Sequence, residues 1–120
     1  MSNLKKQEIR IRYTPHSVEK LENTYGYIAD YLHNPPAAKK AIKTIGDTLA
    51  RLTTFPEMGA LVSSVYDEVP QDFIDARFIV CGSYIAIYDY SDGVVSVLDV
   101  FHTREDIQGQ LFGMTSPDND

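Results

Sequence analysis

Two apolar stripes separated by a proline-studded break constrain this chain more than any other feature. In "TPHSVEKLENTYGYIADYL", Val18, Leu21, Tyr25, Ile28 and Leu32 recur at alternating spacings of three and four, the repeat of one helical face. Thr14 ahead of Pro15 supplies an N-cap followed by a first helical residue whose missing N–H costs nothing there. The "HNPP" break, residues 33–36, stops this helix, because a residue before proline is driven out of helical conformation. Asn34 and Pro35 then cap and open a second helix. Its stripe is Ala38, Ala41, Ile42, Ile45, Leu49 and Leu52, and "FPEMG", residues 55–59, ends it. Helices joined by so short a connection pair as an antiparallel hairpin.

Strand periodicity occupies the rest. In "EIRIRY", residues 8–13, Ile9, Ile11 and Tyr13 alternate with Glu8, Arg10 and Arg12, as in a half-buried strand. "RFIVCGSYIAIYDY" and "VVSVLDVF" read as β runs, with Ser91-Asp92-Gly93 as a tight hairpin turn. The segment "ALVSSVYDEVPQDFIDA", residues 60–76, between the second helix and these runs, is ambiguous and has room for a short strand. Along the last strand, simple alternation groups Val94, Leu98 and Val100 with His102, and Val95, Val97, Asp99 and Phe101 on the opposite face. If the first group faces the helices, His102 emerges at the edge of the core. Little pattern follows Asp106, and residues 109–120 read as a flexible tail. The expected fold is α+β: a small, mainly antiparallel β-sheet packed against an N-terminal two-helix hairpin. It forms one domain over 1–120, with its core at about 8–108.

Composition narrows the function. No run reaches the roughly 18–20 apolar residues of a membrane span, and "MSNLKKQEIRIRY" lacks the apolar stretch of a secretion signal, so a cytoplasmic protein is expected. Cys81 is the single cysteine, which excludes an internal disulfide and suits a small buried thiol. Residues 1–51 hold nine Lys and Arg against five Asp and Glu, whereas residues 52–120 hold two, Arg77 and Arg104, against twelve. So acidic a second half offers no broad phosphate-binding surface, and direct recognition of a DNA sequence is not expected. There is no glycine-rich phosphate loop and no nucleophile elbow, and His16, His33 and His102 fall in unrelated segments. Neither metal nor cofactor is expected.

Strand pairing has one set of chemically useful residues to bring together: Arg77, Tyr84, Tyr88, His102 and Arg104. Metal-free RNA cleavage needs a base for the 2′-hydroxyl, an acid for the leaving oxygen and cations for the phosphorane charge. His102 suits the proton transfers and the arginines suit the charge. The competing reading makes Tyr84 and Tyr88 core aromatics, His102 a boundary residue, and Arg104 an ion-pair partner of Glu105, Asp106 or Asp99. The acidic surroundings favour the second reading.

Taken in order, "IRYTPHSVEKLENTYGYIADYL", "NPPAAKKAIKTIGDTLARLTTFPEMG" and "ARFIVCGSYIAIYDYSDGVVSVLDVFHTRED" resemble the RelE/ParE toxin superfamily of type II toxin–antitoxin modules over residues 8–108. The resemblance implies a toxin of a plasmid-stabilising or addiction system, neutralised by a cognate antitoxin whose extended C-terminal region wraps it. Apolar surface left for the antitoxin leaves room for a homodimer when that partner is missing. RelE-like members cleave messenger RNA on the ribosome, and ParE-like members poison DNA gyrase. The basic strand, the arginine after the strand tyrosine and the basic or aromatic C-terminal end of the RelE-like branch are mostly absent, since Ile85 follows Tyr84 and the end reads "IQGQLFG". Arg77, "GSYIAIY" and Arg104 in "HTRED" look closer to the ParE-like branch. There Arg104 and Arg77 become target-contacting residues of a non-enzymatic gyrase inhibitor. In the ribonuclease alternative the catalytic set is His102, Arg104, Arg77 and Tyr84, and a third reading is a non-toxic binding module. The acidic charge departs from the usually basic toxins of both branches.

Overall fold

The computed structural model describes residues 8–112. Strand β1 (Arg10–Tyr13) leads into helices α1 (Pro15–Gly26) and α2 (Pro35–Ala50), and strands β2 (Ala60–Leu61), β3 (Arg77–Cys81), β4 (Tyr84–Ser91) and β5 (Val94–His102) precede a short helix α3 (Ile107–Phe112). The sheet order is β1-β5-β4-β3-β2. The two helices carry the chain from β1 at one edge of the sheet to β2 at the other, and the strands then return antiparallel until β5 comes to lie parallel beside β1, the one parallel pair. This is the expected α+β arrangement.

The caps form where the residue types place them. Thr14 Oγ1 accepts from the Ser17 N–H at 3.2 Å and donates to the Val97 carbonyl at 2.9 Å, so the same hydroxyl caps α1 and ties it to β5. Asn34 Oδ1 accepts from the Ala37 N–H at 3.2 Å and opens α2. The β4–β5 hairpin turns on Asp92 and Gly93, with φ of 52° and 78°, as an Asp-Gly two-residue turn requires.

The first helix departs from its sequence reading. After Gly26 the backbone widens into a single π-type turn over Tyr27–Tyr31, with the Leu32 N–H donating to the Tyr27 carbonyl at 3.0 Å. One extra residue in the turn rotates the helical phase. Ala29 is thereby buried, while Leu32, assigned by periodicity to the apolar stripe, is 51% exposed.

Two apolar clusters sandwich the sheet. Ile45, Leu49 and Leu52 of the helical layer pack on Cys81, Ala86, Tyr88, Val95, Val97 and Val100. On the opposite face Val62, Ala76, Ile87, Phe101 and Ile107 form the second cluster, with Leu98 packed against it, so the ambiguous segment after β2 and helix α3 cover what a two-layer reading leaves open. Simple alternation along β5 fails for a related reason. Ile87 pairs with Asp99 but Tyr88 pairs with Val97, leaving Leu98 as a bulge. The bulge resets the parity, which puts Val95, Val97 and Val100 in the helix-side cluster together and sends Leu98 and Phe101 to the other. The segment read as a tail from residue 109 begins inside α3, and residues 113–120 lie outside the described residues.

Candidate functional site

At the end of β5 the "HTRED" cluster is a hydrogen-bonded turn. The His102 N–H donates to Glu105 Oε2 at 2.7 Å, and the Glu105 N–H donates to the His102 carbonyl at 3.0 Å. The Arg104 N–H donates to His102 Nδ1 at 3.1 Å, so the ring proton belongs on Nε2 in this arrangement. The Thr103 N–H reaches the Ser83 carbonyl at 2.9 Å, fastening the turn to the β3–β4 loop. Asp106 Oδ1 then accepts from the Gly109 N–H at 3.1 Å and caps α3. Four of the five polar residues therefore close the strand and start the helix.

Register pairs Tyr84 with His102, and their rings meet edge to face with centroids 5.2 Å apart. Together with Lys20 and Tyr27 of the first helical segment, and with Arg104 and Glu105, they border a recess of about 510 Å³. Burial pushes the Tyr84 phenol above its ordinary pKa, with Glu105 and Tyr27 adding to the shift, so it stays protonated at neutral pH. Lys20 is absent from the sequence reading, because only the β1–β5 pairing brings α1 beside the end of β5. Its ammonium is already committed: Nζ lies 2.7 Å from Asp99 Oδ1 and 4.0 Å over the Phe101 ring. Asp99 also contacts His16 Nε2 at 3.1 Å and accepts from the Val100 N–H at 2.8 Å. Arg104 is exposed, and among the described residues its guanidinium has no ion-pair partner. The expected pairing with Glu105, Asp106 or Asp99 does not form, since these carboxylates serve the turn, the α3 cap and Lys20.

Arg77 is elsewhere. It pairs in register with Tyr88, four residues along β4 from Tyr84 and hence roughly 13 Å away at the rise of an extended strand. Its Nη1 donates to the Gly59 and Glu57 carbonyls at 2.7 and 3.2 Å. The Tyr88 hydroxyl donates to the Pro56 carbonyl at 2.8 Å and accepts from the Gly59 N–H at 2.9 Å. Burial raises the Tyr88 pKa, and the Gly59 N–H and the Arg77 charge oppose the rise. These side chains clamp the "FPEMG" loop, and Gly59 is required for it: an added Cβ would lie 2.5 Å from the Phe78 carbonyl oxygen and 2.8 Å from the Tyr88 hydroxyl. The structure thus joins Tyr84, His102 and Arg104 and separates Arg77 from them.

A second surface was not legible as a site. Tyr13, Val18, Leu21 and Tyr25 on one side, with Ile42, Ile45 and Gly46 of α2 on the other, line an almost wholly apolar groove of about 420 Å³. Val18 is 40% and Tyr25 37% exposed, although periodicity assigns both to a buried stripe. Among the described residues no group of His, Cys, Asp and Glu is placed to hold a metal ion, and no helix is long and apolar enough to cross a membrane.

Comparison with known proteins follows the fold. Residues 11–107 match the family model described as the ParE toxin of the type II toxin–antitoxin system parDE. Among solved structures, the chromosomal ParDE toxin–antitoxin system from P. aeruginosa shares 18% identity, covers 81% of this chain and 98% of its own, and superposes with a TM-score of 0.64. The toxin–antitoxin complex RelBE2 from Mycobacterium tuberculosis shares 17% identity over 79% of this chain and 98% of its own, with a TM-score of 0.47. No curated protein sequence matches the chain.

Proposed function

The chain belongs to the ParE toxin family of type II toxin–antitoxin systems, and from that premise we propose that it is a cytoplasmic toxin, held inactive by a cognate antitoxin, that arrests growth by binding and inhibiting DNA gyrase. One observation carries the choice of target binding over catalysis. Arg77 is bound to loop carbonyls and Lys20 to Asp99, which leaves Arg104 as the uncommitted cation of the three, exposed on a hydrogen-bonded turn. Metal-free RNA cleavage would have to stabilise a phosphorane with that single guanidinium, beside Glu105 and with a protonated Tyr84. A lone exposed arginine on a backbone-fastened turn is better suited to a carboxylate or carbonyl on a protein surface.

Induction of the chain without the protein encoded beside it should stop growth, and co-expression should restore it. The purified toxin should inhibit supercoiling by gyrase, and Arg104→Ala should remove that inhibition. Unimpaired supercoiling at saturating toxin would sink the gyrase assignment. The ribonuclease reading draws on the joining of Tyr84, His102 and Arg104 at one recess. Transcript cleavage that appears on induction and disappears in the His102→Ala/Arg104→Ala double variant would replace the first reading with the second.

A further inference from the structure

The backbone of Arg104 is held by a ring. Its N–H donates to His102 Nδ1, two residues back, at 3.1 Å, the bond by which an Asn or Asp side chain ordinarily fixes its own turn. Histidine makes that bond only with Nδ1 unprotonated, and of the three side chains it alone changes charge near neutrality. The other fastenings of the turn hold residues on either side: Glu105 Oε2 takes the His102 N–H at 2.7 Å, and the Thr103 N–H reaches the Ser83 carbonyl at 2.9 Å. The bond to Nδ1 is thus what fixes the peptide of the residue whose guanidinium is uncommitted.

The groups facing the ring are Tyr84 of β4, edge to face at 5.2 Å, Lys20 and Tyr27 of the first helical segment across the recess, and Arg104 and Glu105 of the turn itself. Lys20 is bound to Asp99, and the two Glu105 oxygens already receive the His102 N–H and, at 3.1 Å, Gln110 Nε2. We infer that His102 is the positioning residue for Arg104 and presents its guanidinium only while the ring is neutral. A proton on Nδ1 sets donor against donor and releases the turn. The inference rests on the target-binding reading above and adds its regulation by pH. With Nδ1 occupied, the ring proton sits on Nε2, which can donate but cannot take a proton from a hydroxyl, so the same bond removes His102 as the base of the ribonuclease alternative.

The test is calorimetric titration of toxin into gyrase at about pH 8 and about pH 5.5, with amide proton spectra of the free toxin over the same range. Wild-type affinity should fall about tenfold at the lower pH, the size of a lost hydrogen bond beside the contact. His102→Asn keeps an acceptor at the same place and takes up no proton, so it should bind within about threefold of wild type at the higher pH and hold that affinity at the lower. His102→Phe keeps a ring against Tyr84 but has no acceptor, and should bind about tenfold more weakly at both. The Arg104 amide signal of free toxin should move with pH in the wild type and stay in place in His102→Asn. A Phe variant that binds like wild type while the Asn variant does not overturns the inference in favour of ring packing. Equal falls in wild type and His102→Asn overturn it by placing the pH effect outside His102, and so does a wild-type Arg104 amide that ignores pH. Wild-type toxin that binds no gyrase at the higher pH sinks the target reading instead, and the amide titration then decides for or against His102 as the holder of the turn.

Discussion

Tyr84 at the start of β4 and Tyr88 in its middle, each beside an arginine, are the same residue types in opposite employment. In the middle of the strand Tyr88 and its register partner Arg77 turn onto the loop at residues 56–59 and make four hydrogen bonds to its backbone. At its start, Tyr84 and His102 meet edge to face beside a recess, and the Arg104 guanidinium stands in solvent without an ion-pair partner among the described residues. The pairs are separated by four residues of one strand, so residue type and strand membership cannot tell them apart. What differs is the neighbour. The loop offers backbone carbonyls that need donors, whereas the carboxylates around Arg104 already hold other partners.

Breaking the clamp should produce the largest effect. Tyr88→Phe leaves the Pro56 carbonyl and the Gly59 N–H without a buried partner, and Gly59→Ala forces a methyl against backbone. Each should lower unfolding free energy by about 3 kcal/mol, measured by urea denaturation. A loss below about 1 kcal/mol for both would show that the loop is not held this way.

Next is an effect of pH at the Tyr84 end, where Cys81 is the register partner of Tyr84. Burial pushes its thiol from 9 up to about 11, while hydrogen bonds from the Ala86 backbone and the Thr48 side chain oppose the shift. The unfolded chain therefore releases this proton before the folded one. The contribution is fully present below pH 9 and is lost as the pH rises toward 11, by on the order of 2 kcal/mol. The raised Tyr13, Tyr84 and Tyr88 add to the loss above pH 10. Cys81→Ala should flatten the part of the stability profile that begins near pH 9, and an unchanged profile would remove the thiol as its cause.

The smallest effect on stability sharpens the contrast most. Arg77→Lys should cost about 1 kcal/mol, because both carbonyls are met by the two N–H groups of one planar Nη1, and the shorter lysine stem does not carry its ammonium to that position. Arg104→Ala should change stability by less than about 0.5 kcal/mol and yet abolish growth arrest. If Arg104→Ala destabilises as much as Arg77→Lys, the two arginines are both structural and the comparison collapses.

Much of this was legible beforehand. The caps at Thr14 and Asn34, the Asp-Gly hairpin and the α2 stripe follow from residue types acting over a few positions, and the structure contains each of them. Leu32 and the alternation along β5 were misread because the π-type turn and the Leu98 bulge each insert one residue, and one residue is enough to change a phase. The site was only half visible. Tyr84, His102 and Arg104 are brought together, but Arg77 belongs to the clamp, and Lys20 and Tyr27 carried no signal because their neighbours lie about eighty residues away or across a helix–sheet contact.

By itself, then, the chain's order of residues determined the local elements, the α+β class, the family and the acidic imbalance, all of which rest on short-range chemistry or on summed charge. Only the tertiary structure decided which polar groups are free. A guanidinium is a clamp or a contact according to the acceptors within about 3 Å of it. For Arg77 those acceptors are the carbonyls of Glu57 and Gly59, eighteen or more positions away in the chain, and no spacing rule along the sequence reaches that far.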